Sequence, residues 1–186
     1  DNRPHVYLGF LAVQSCGAVP IPLYQDAVAA EMMFVMEDAE IAFAFAENQE
    51  QVDKLLEVRE SVPSIRHIIY DDPRGLRKYD QPGLISTEDL LAQGKAWDEQ
   101  HPGAYEAMVQ AVSPDDVSVI LYTSGTTGKP KGVCQTHFSF GESARGGVQT
   151  DKLNAADNVI CYLPPAWVGD HLFSFAQWLV AGFTIN

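Results

Sequence analysis

The run Tyr122-Thr123-Ser124-Gly125-Thr126-Thr127-Gly128-Lys129-Pro130-Lys131-Gly132 concentrates four aliphatic hydroxyls, three glycines and two lysines in eleven residues. Those residue types suit a polyanion. Glycines let the backbone curl until its N–H groups meet a ligand. Hydroxyls donate to phosphate oxygens, and lysine ammonium groups neutralise them. The chain as a whole is acidic, with 12 Lys and Arg against 25 Asp and Glu for a net charge of −13, so two lysines in one loop stand out. The pattern is not the common nucleotide loop, because Pro130 stands five residues after Gly125 where that motif requires glycine. Nor is it a nucleophile elbow, since Tyr122 occupies the position of the first glycine of Gly-x-Ser-x-Gly. The plain alternative is a polar surface turn.

The same string resembles the phosphate loop of the adenylate-forming superfamily, which comprises acyl-CoA synthetases, firefly-type luciferases and the adenylation domains of peptide synthetases. The similarity continues through Gly132-Val133-Cys134-Gln135-Thr136-His137. It extends to Gly9–Leu23, similar to an early helix, Gly-Ala turn and strand of that family, and to Leu163-Pro164-Pro165 through Gly182. It is weakest across 71–113. Pro22-Leu23-Tyr24-Gln25-Asp26 and Ala166-Trp167-Val168-Gly169-Asp170-His171 look most like bacterial long-chain fatty acyl-CoA synthetases.

The resemblance implies that ATP activates a carboxylate to an acyl-adenylate with release of pyrophosphate, and that coenzyme A then takes the acyl group. By position, Thr123, Ser124, Gly125, Thr126, Thr127, Gly128 and Lys131 would hold the phosphates, with Thr123 also near Mg²⁺. Lys129, next to Pro130, is left open between phosphate and solvent. Many relatives carry His where Trp167 stands, with His171 four residues later, at a spacing that lets two helical side chains share a face. Trp167 would then wall an acyl tunnel with His171 beside it, or be a packing residue at a helix start. His137 is open between anchoring the strand after the loop and contacting substrate. Expected ligands are therefore ATP, Mg²⁺, coenzyme A and a fatty acid. Transfer to a carrier-protein thiol and a non-catalytic α/β binding module stay as alternatives, and a loop-bearing phosphotransferase is a third.

The elements that must position this loop are legible around it. Val117–Leu121 is an apolar run that reads as a buried strand leading into it. Upstream, helical spacing predicts helices over 5–17, 28–39 and from Asn48 to Pro63, the last opened by a cap-and-return pattern. Strands are expected at Val19–Leu23, at Ile41–Ala46 (covered on both faces) and at Ile65–Tyr70. Residues 71–83 read as a loop, with Ser86 and Asp89 spaced for mutual capping of a helix that is interrupted at Pro102-Gly103. Downstream come helices over 138–147 and 169–181, and strands at 159–162 and from 183. Alternation of strand and helix predicts a parallel-sheet α/β/α sandwich of three layers, a Rossmann-like subdomain.

Composition narrows the setting. With 46% hydrophobic residues the chain can bury a core, and its negative charge argues against a nucleic-acid partner. Three cysteines without a Cys-x-x-Cys pair read as buried free thiols in a reducing cytoplasm. No apolar run is long enough to span a membrane, while peripheral membrane contact is left open. Both ends read as cut, so residues 1–186 are expected to be one α/β subdomain within a larger N-terminal domain, without the C-terminal domain. An edge beyond Ile185 leaves a homodimer open.

Overall fold

Strand and helix alternate as expected, but among the described residues the strands gather into three small sheets. The computed structural model describes residues 2–124 and 129–186, with backbone alone at Ser124. In chain order the elements are α1 (Pro4–Ser15), α2 (Ala29–Asp38), β1 (Phe43–Ala46), α3 (Gln49–Ser61), β2 (His67–Tyr70), β3 (Leu84–Ser86), α4 (Thr87–Gln100) and α5 (Ala104–Ala111). Then follow β4 (Val117–Ser124), β5 (Pro130–Thr136), α6 (His137–Asp151), β6 (Asn158–Val159), α7 (Val168–Asp170), a π-helical stretch (His171–Ala176), α8 (Gln177–Ala181) and β7 (Thr184–Ile185). They form two compact units, one of Asp1–Tyr24 with Tyr105–Asn186, the other of Gln25–Ala104.

In the Gln25–Ala104 unit, β1, β2 and β3 make a parallel sheet in that order, with Ala44 opposite Ile68 and Ile68 opposite Leu84. Asn48 caps α3 by accepting from the Gln51 N–H at 3.3 Å, and Val52, Leu55 and Val58 recur on the face that α3 buries. Each such side chain contributes about 1.5–3 kcal/mol of burial. Ser86 caps α4 as its spacing predicts: its Oγ accepts from the Asp89 N–H at 3.0 Å and donates to the Asp89 carboxylate at 2.7 Å.

Strand β1 is not covered on both faces. Ala44 and Ala46 point inward, whereas Phe43 and Phe45 are 54% and 58% exposed. The reason is that β1 is an edge strand, and its small residues are the ones that fit against the core. Phe43 is flanked instead by the His67 ring, stacked at 5.5 Å, and by the Arg66 guanidinium at 5.3 Å.

In the other unit, β4 and β5 form an antiparallel hairpin whose register pairs Leu121 with Val133 and Thr123 with Lys131. Residues β6 and β7 pair parallel. Val119 and Leu121 pack on Phe140 and Ala144 of α6 and on Ala176. Tyr7 and Phe10 of α1 pack on Phe175 in a second cluster. The expected strand at Val19–Leu23 does not form, because Pro20 and Pro22 have no N–H for a ladder; the Pro20 carbonyl accepts one bond, from the Ile120 N–H at 3.3 Å. Two of the three free thiols, Cys16 and Cys134, are exposed rather than buried. The class is α/β with parallel pairing in two of the sheets.

Gly83 tests the parallel sheet. It has φ +76°, and a Cβ there would lie 2.2 Å from the Arg66 carbonyl oxygen at the entry to β2. Gly83→Ala is expected to destabilise the Gln25–Ala104 unit by roughly 2–4 kcal/mol, read as a lowered urea midpoint.

Candidate functional site

The hairpin brings together two of the residues singled out for phosphate binding. Directly opposed positions of an antiparallel pair set their Cβ atoms about 4.5–5.5 Å apart, so Thr123 and Lys131 stand side by side, both exposed. Alternation along β4 puts Thr123 on the face of Val119 and Leu121. The apolar half of that face is buried on α6, and the polar end emerges past it. Gly125, Thr126, Thr127 and Gly128, and the Ser124 side chain, lie outside the described residues.

A one-residue irregularity sets this arrangement. Val117 opposes Thr136 and Val119 opposes Gln135, so Ser118 is the extra residue of a bulge. Its backbone is not left unpaired. The Gln14 side chain donates to the Ser118 carbonyl at 2.9 Å, and the Ser118 hydroxyl donates to the Gln135 carbonyl at 3.1 Å. On the other face, a Cβ at Gly132 would fall 2.8 Å from Ile120 and 3.2 Å from the Tyr122 ring. Glycine at 132 therefore lets the Tyr122 ring lie across β5, on the face opposite Thr123 and Lys131.

His137 stands at the far end of β5. Lys131 and Thr136 are five strand residues apart, about 17 Å at the usual rise. Thr136 is the N-cap of α6, accepting from the Ser139 N–H at 3.1 Å, and His137 opens that helix, half-buried. Burial lowers its pKa, partly offset by the charge of Asp116.

Trp167 and His171 do not share a surface. Trp167 is the N-cap of α7 with extended backbone, φ −98° and ψ 139°, and is 47% exposed. A Cβ on Gly169 would meet its ring at 2.8 Å, so glycine there seats the indole over the helix start. His171, one turn later, is 1% exposed. Its ring lies 5.0 Å from Phe10, 5.1 Å from Phe140 and 5.0 Å from Phe175. Neither ring nitrogen has a hydrogen-bond partner among the described residues, and burial pushes its pKa down to about 4.

Between these two residues the structure holds a polar knot that no local pattern announces. The Asp170 carboxylate is fully buried. The Tyr7 hydroxyl donates to it at 3.1 Å, the Asn2 amide at 3.1 Å and the Cys161 thiol at 3.2 Å, while Asn2 also donates to the Leu163 carbonyl at 2.7 Å. Burial above all, with the neighbouring thiol and carboxylate, raises the Tyr7 pKa, so the phenol keeps its proton as a donor. Signals for the knot lay in the sequence only as a lone Asp and Tyr within apolar runs. Tyr7→Phe removes one donor from a buried anion and is expected to cost about 1–3 kcal/mol, seen as a lower melting temperature. Gly169→Ala is expected to displace the Trp167 ring, read as a red shift of its emission with Trp97 and Trp178 replaced by Phe.

Among the described residues no group of three or more His, Cys, Asp or Glu is placed to hold a metal, and no helix is long and apolar enough to cross a membrane. Residues 1–186 match the family described as AMP-binding enzyme. A long-chain-fatty-acid–CoA ligase, FadD15, of Mycobacterium tuberculosis is 28% identical over 178 residues, covering 93% of this chain and 28% of its own length. Long-chain-fatty-acid–CoA ligase 1 of Cavia porcellus is 31% identical over 183 residues, covering 92% of the chain and 25% of its own length. Among solved structures, an acetoacetyl-CoA synthetase from Streptomyces lividans superposes with a TM-score of 0.73 at 20% identity, over 99% of this chain and 28% of that one. ATP-bound MatB from Rhodopseudomonas palustris does so with a TM-score of 0.67 at 18% identity, over 97% and 32%. The chain thus spans about a quarter of the length of the curated relatives it matches.

Proposed function

Since the chain belongs to the AMP-binding enzyme family, we propose that it is the phosphate-holding part of a ligase that joins a long-chain fatty acid to coenzyme A. The observation that carries this reading is the placement of Thr123 opposite Lys131 at the end of the hairpin where β4 gives way to β5, on the face its core anchors. A carboxylate oxygen of the acid attacks the α-phosphorus of ATP, the bond to the bridging oxygen breaks, and pyrophosphate leaves. The coenzyme A sulfur then attacks the acyl carbon, AMP leaves, and the thiol proton is released.

In the first step this chain's share is electrostatic. Lys131 neutralises the departing phosphates, Thr123, Ser124, Thr126 and Thr127 donate hydroxyls, and Gly125 and Gly128 let backbone N–H groups close in. The exposed Thr123 hydroxyl, opposite Lys131, would hold Mg²⁺, an ion commonly bound by few protein oxygens, which would supply further neutralisation of phosphate charge. Trp167, exposed at its N-cap, is the side chain offered to the acyl group. His171 acts beneath it through packing, and His137 anchors the hairpin's other end. The enzyme on this reading is cytoplasmic, in keeping with three free thiols.

In the full-length protein, Lys131→Ala is expected to lower fatty-acid-dependent ATP–pyrophosphate exchange roughly 10²-fold. Release of orthophosphate in place of pyrophosphate would overturn the reading in favour of a phosphotransferase. Exchange that needs a carrier protein to complete acyl transfer would move the acceptor from coenzyme A to that thiol.

A further inference from the structure

Two apolar clusters hold this unit, and one polar ring joins them. Phe140 belongs to the cluster under β4, with Val119 and Leu121; Phe10 and Phe175 belong to the cluster against α1. His171 touches all three rings. It is also the first residue of the π-helical stretch, a rare geometry in which one extra residue is held in a turn. The stretch lies between two fixed points. Asp170, just before it, is bound by Tyr7, Asn2 and Cys161. Gln177, just after it, is buried against α6, where a Cβ on Gly147 would meet its amide nitrogen at 2.1 Å. A helix pinned at both ends has little freedom to rearrange except by releasing the side chains between.

We propose that His171 is an acid-sensitive joint: neutral, it couples the β4–β5 hairpin to α1, and protonated, it leaves the aromatic box and lets the hairpin that carries Thr123 and Lys131 open. The geometry gives the reason. An imidazolium needs hydrogen-bond acceptors or a counter-charge, and among the described residues the box offers neither. From α1 the facing group is the Phe10 ring; the Tyr7 hydroxyl nearby is committed to Asp170. From α6 it is the Phe140 ring, while Glu142 and Arg145 pair with each other at the exposed surface. On its own helix it is the Phe175 ring, and the Asp170 carboxylate is turned into the knot. Burial is accordingly the single cause of the lowered pKa.

The sign follows from linkage. The closed form takes up the proton near pH 4 and an open form near the ordinary histidine value of about 6.5. The closed state is therefore fully favoured above the open-state value, and the advantage is lost as pH falls from about 6.5 towards 4. Between pH 7.5 and 5.0 the opening equilibrium is expected to grow roughly 25-fold. The link to nucleotide binding rests on the phosphate-loop reading above; the joint itself does not.

Hydrogen exchange of the 186-residue chain, corrected for the intrinsic effect of pH, reads the joint directly. Amides of Val117–Ser124 and Lys131–Thr136 are expected to lose protection by that factor between pH 7.5 and 5.0, and His171→Phe to flatten the loss. The same loss persisting in His171→Phe would overturn the proposal and assign it to another group such as His137. A flat wild-type profile would overturn it outright. The wild-type chain also tests it without any variant, by NMR titration of the His171 ring: a midpoint well below the ordinary histidine range supports the joint, and one within that range refutes it. ATP titration of the full-length protein separates the two readings. Loss of ATP-induced shifts at Thr123 and Lys131 would remove the nucleotide role and leave the joint standing.

Discussion

A carboxylate taken wholly out of water persists only where donors meet it, and Asp170 is met by three. The donors come from residues 2, 7 and 161, so a single buried charge ties the start of the chain, the α1 helix and the segment after β6 to one helix start. Removing water from a carboxylate costs several kcal/mol unless its lone pairs are satisfied. Here none of the donors is itself charged, so the anion is held by hydrogen bonds alone among the described residues. That demand fixes where α7 begins, and with it where Trp167 and His171 fall on opposite sides of the surface.

The knot and the aromatic box divide the labour in this unit. Hydrogen bonds specify position at Asp170, where direction matters. Ring packing supplies cohesion one residue later, at His171, where direction does not. Placing an imidazole in the second environment sacrifices its two hydrogen bonds, an imbalance that apolar Phe or Leu would avoid. Such a choice departs from the local consistency that folded sequences otherwise show, and departures of that kind concentrate where a structure does something besides stand still.

Much of the fold was legible in local pattern. The cap residues Asn48 and Ser86 announced α3 and α4, and the spacing of Val52, Leu55 and Val58 announced a buried face. What was missed depends on partners far away in sequence. Val19–Leu23 has strand-like residues, but Pro20 and Pro22 cannot complete a ladder. Phe43 and Phe45 look like core residues until β1 proves to be an edge. Helical spacing put Trp167 and His171 together, yet a cap residue with extended backbone aims its side chain elsewhere, and the π stretch breaks the period that such reasoning needs. The Asp170 knot joins positions more than 150 residues apart, which no window along the chain can see.

The bulge at Ser118 makes the hairpin a matter of parity. Because strand side chains alternate, a single unmatched residue decides whether odd or even positions of β4 look towards α6. With Ser118 counted in, the odd positions carry both the apolar residues that anchor the strand and the threonine that faces Lys131, so anchor and threonine share one face. Among related chains, then, this short stretch before the loop should tolerate change of residue far more readily than change of length. An insertion or deletion of one residue there would leave every letter of the loop intact and turn Thr123 away from the face of Val119 and Leu121.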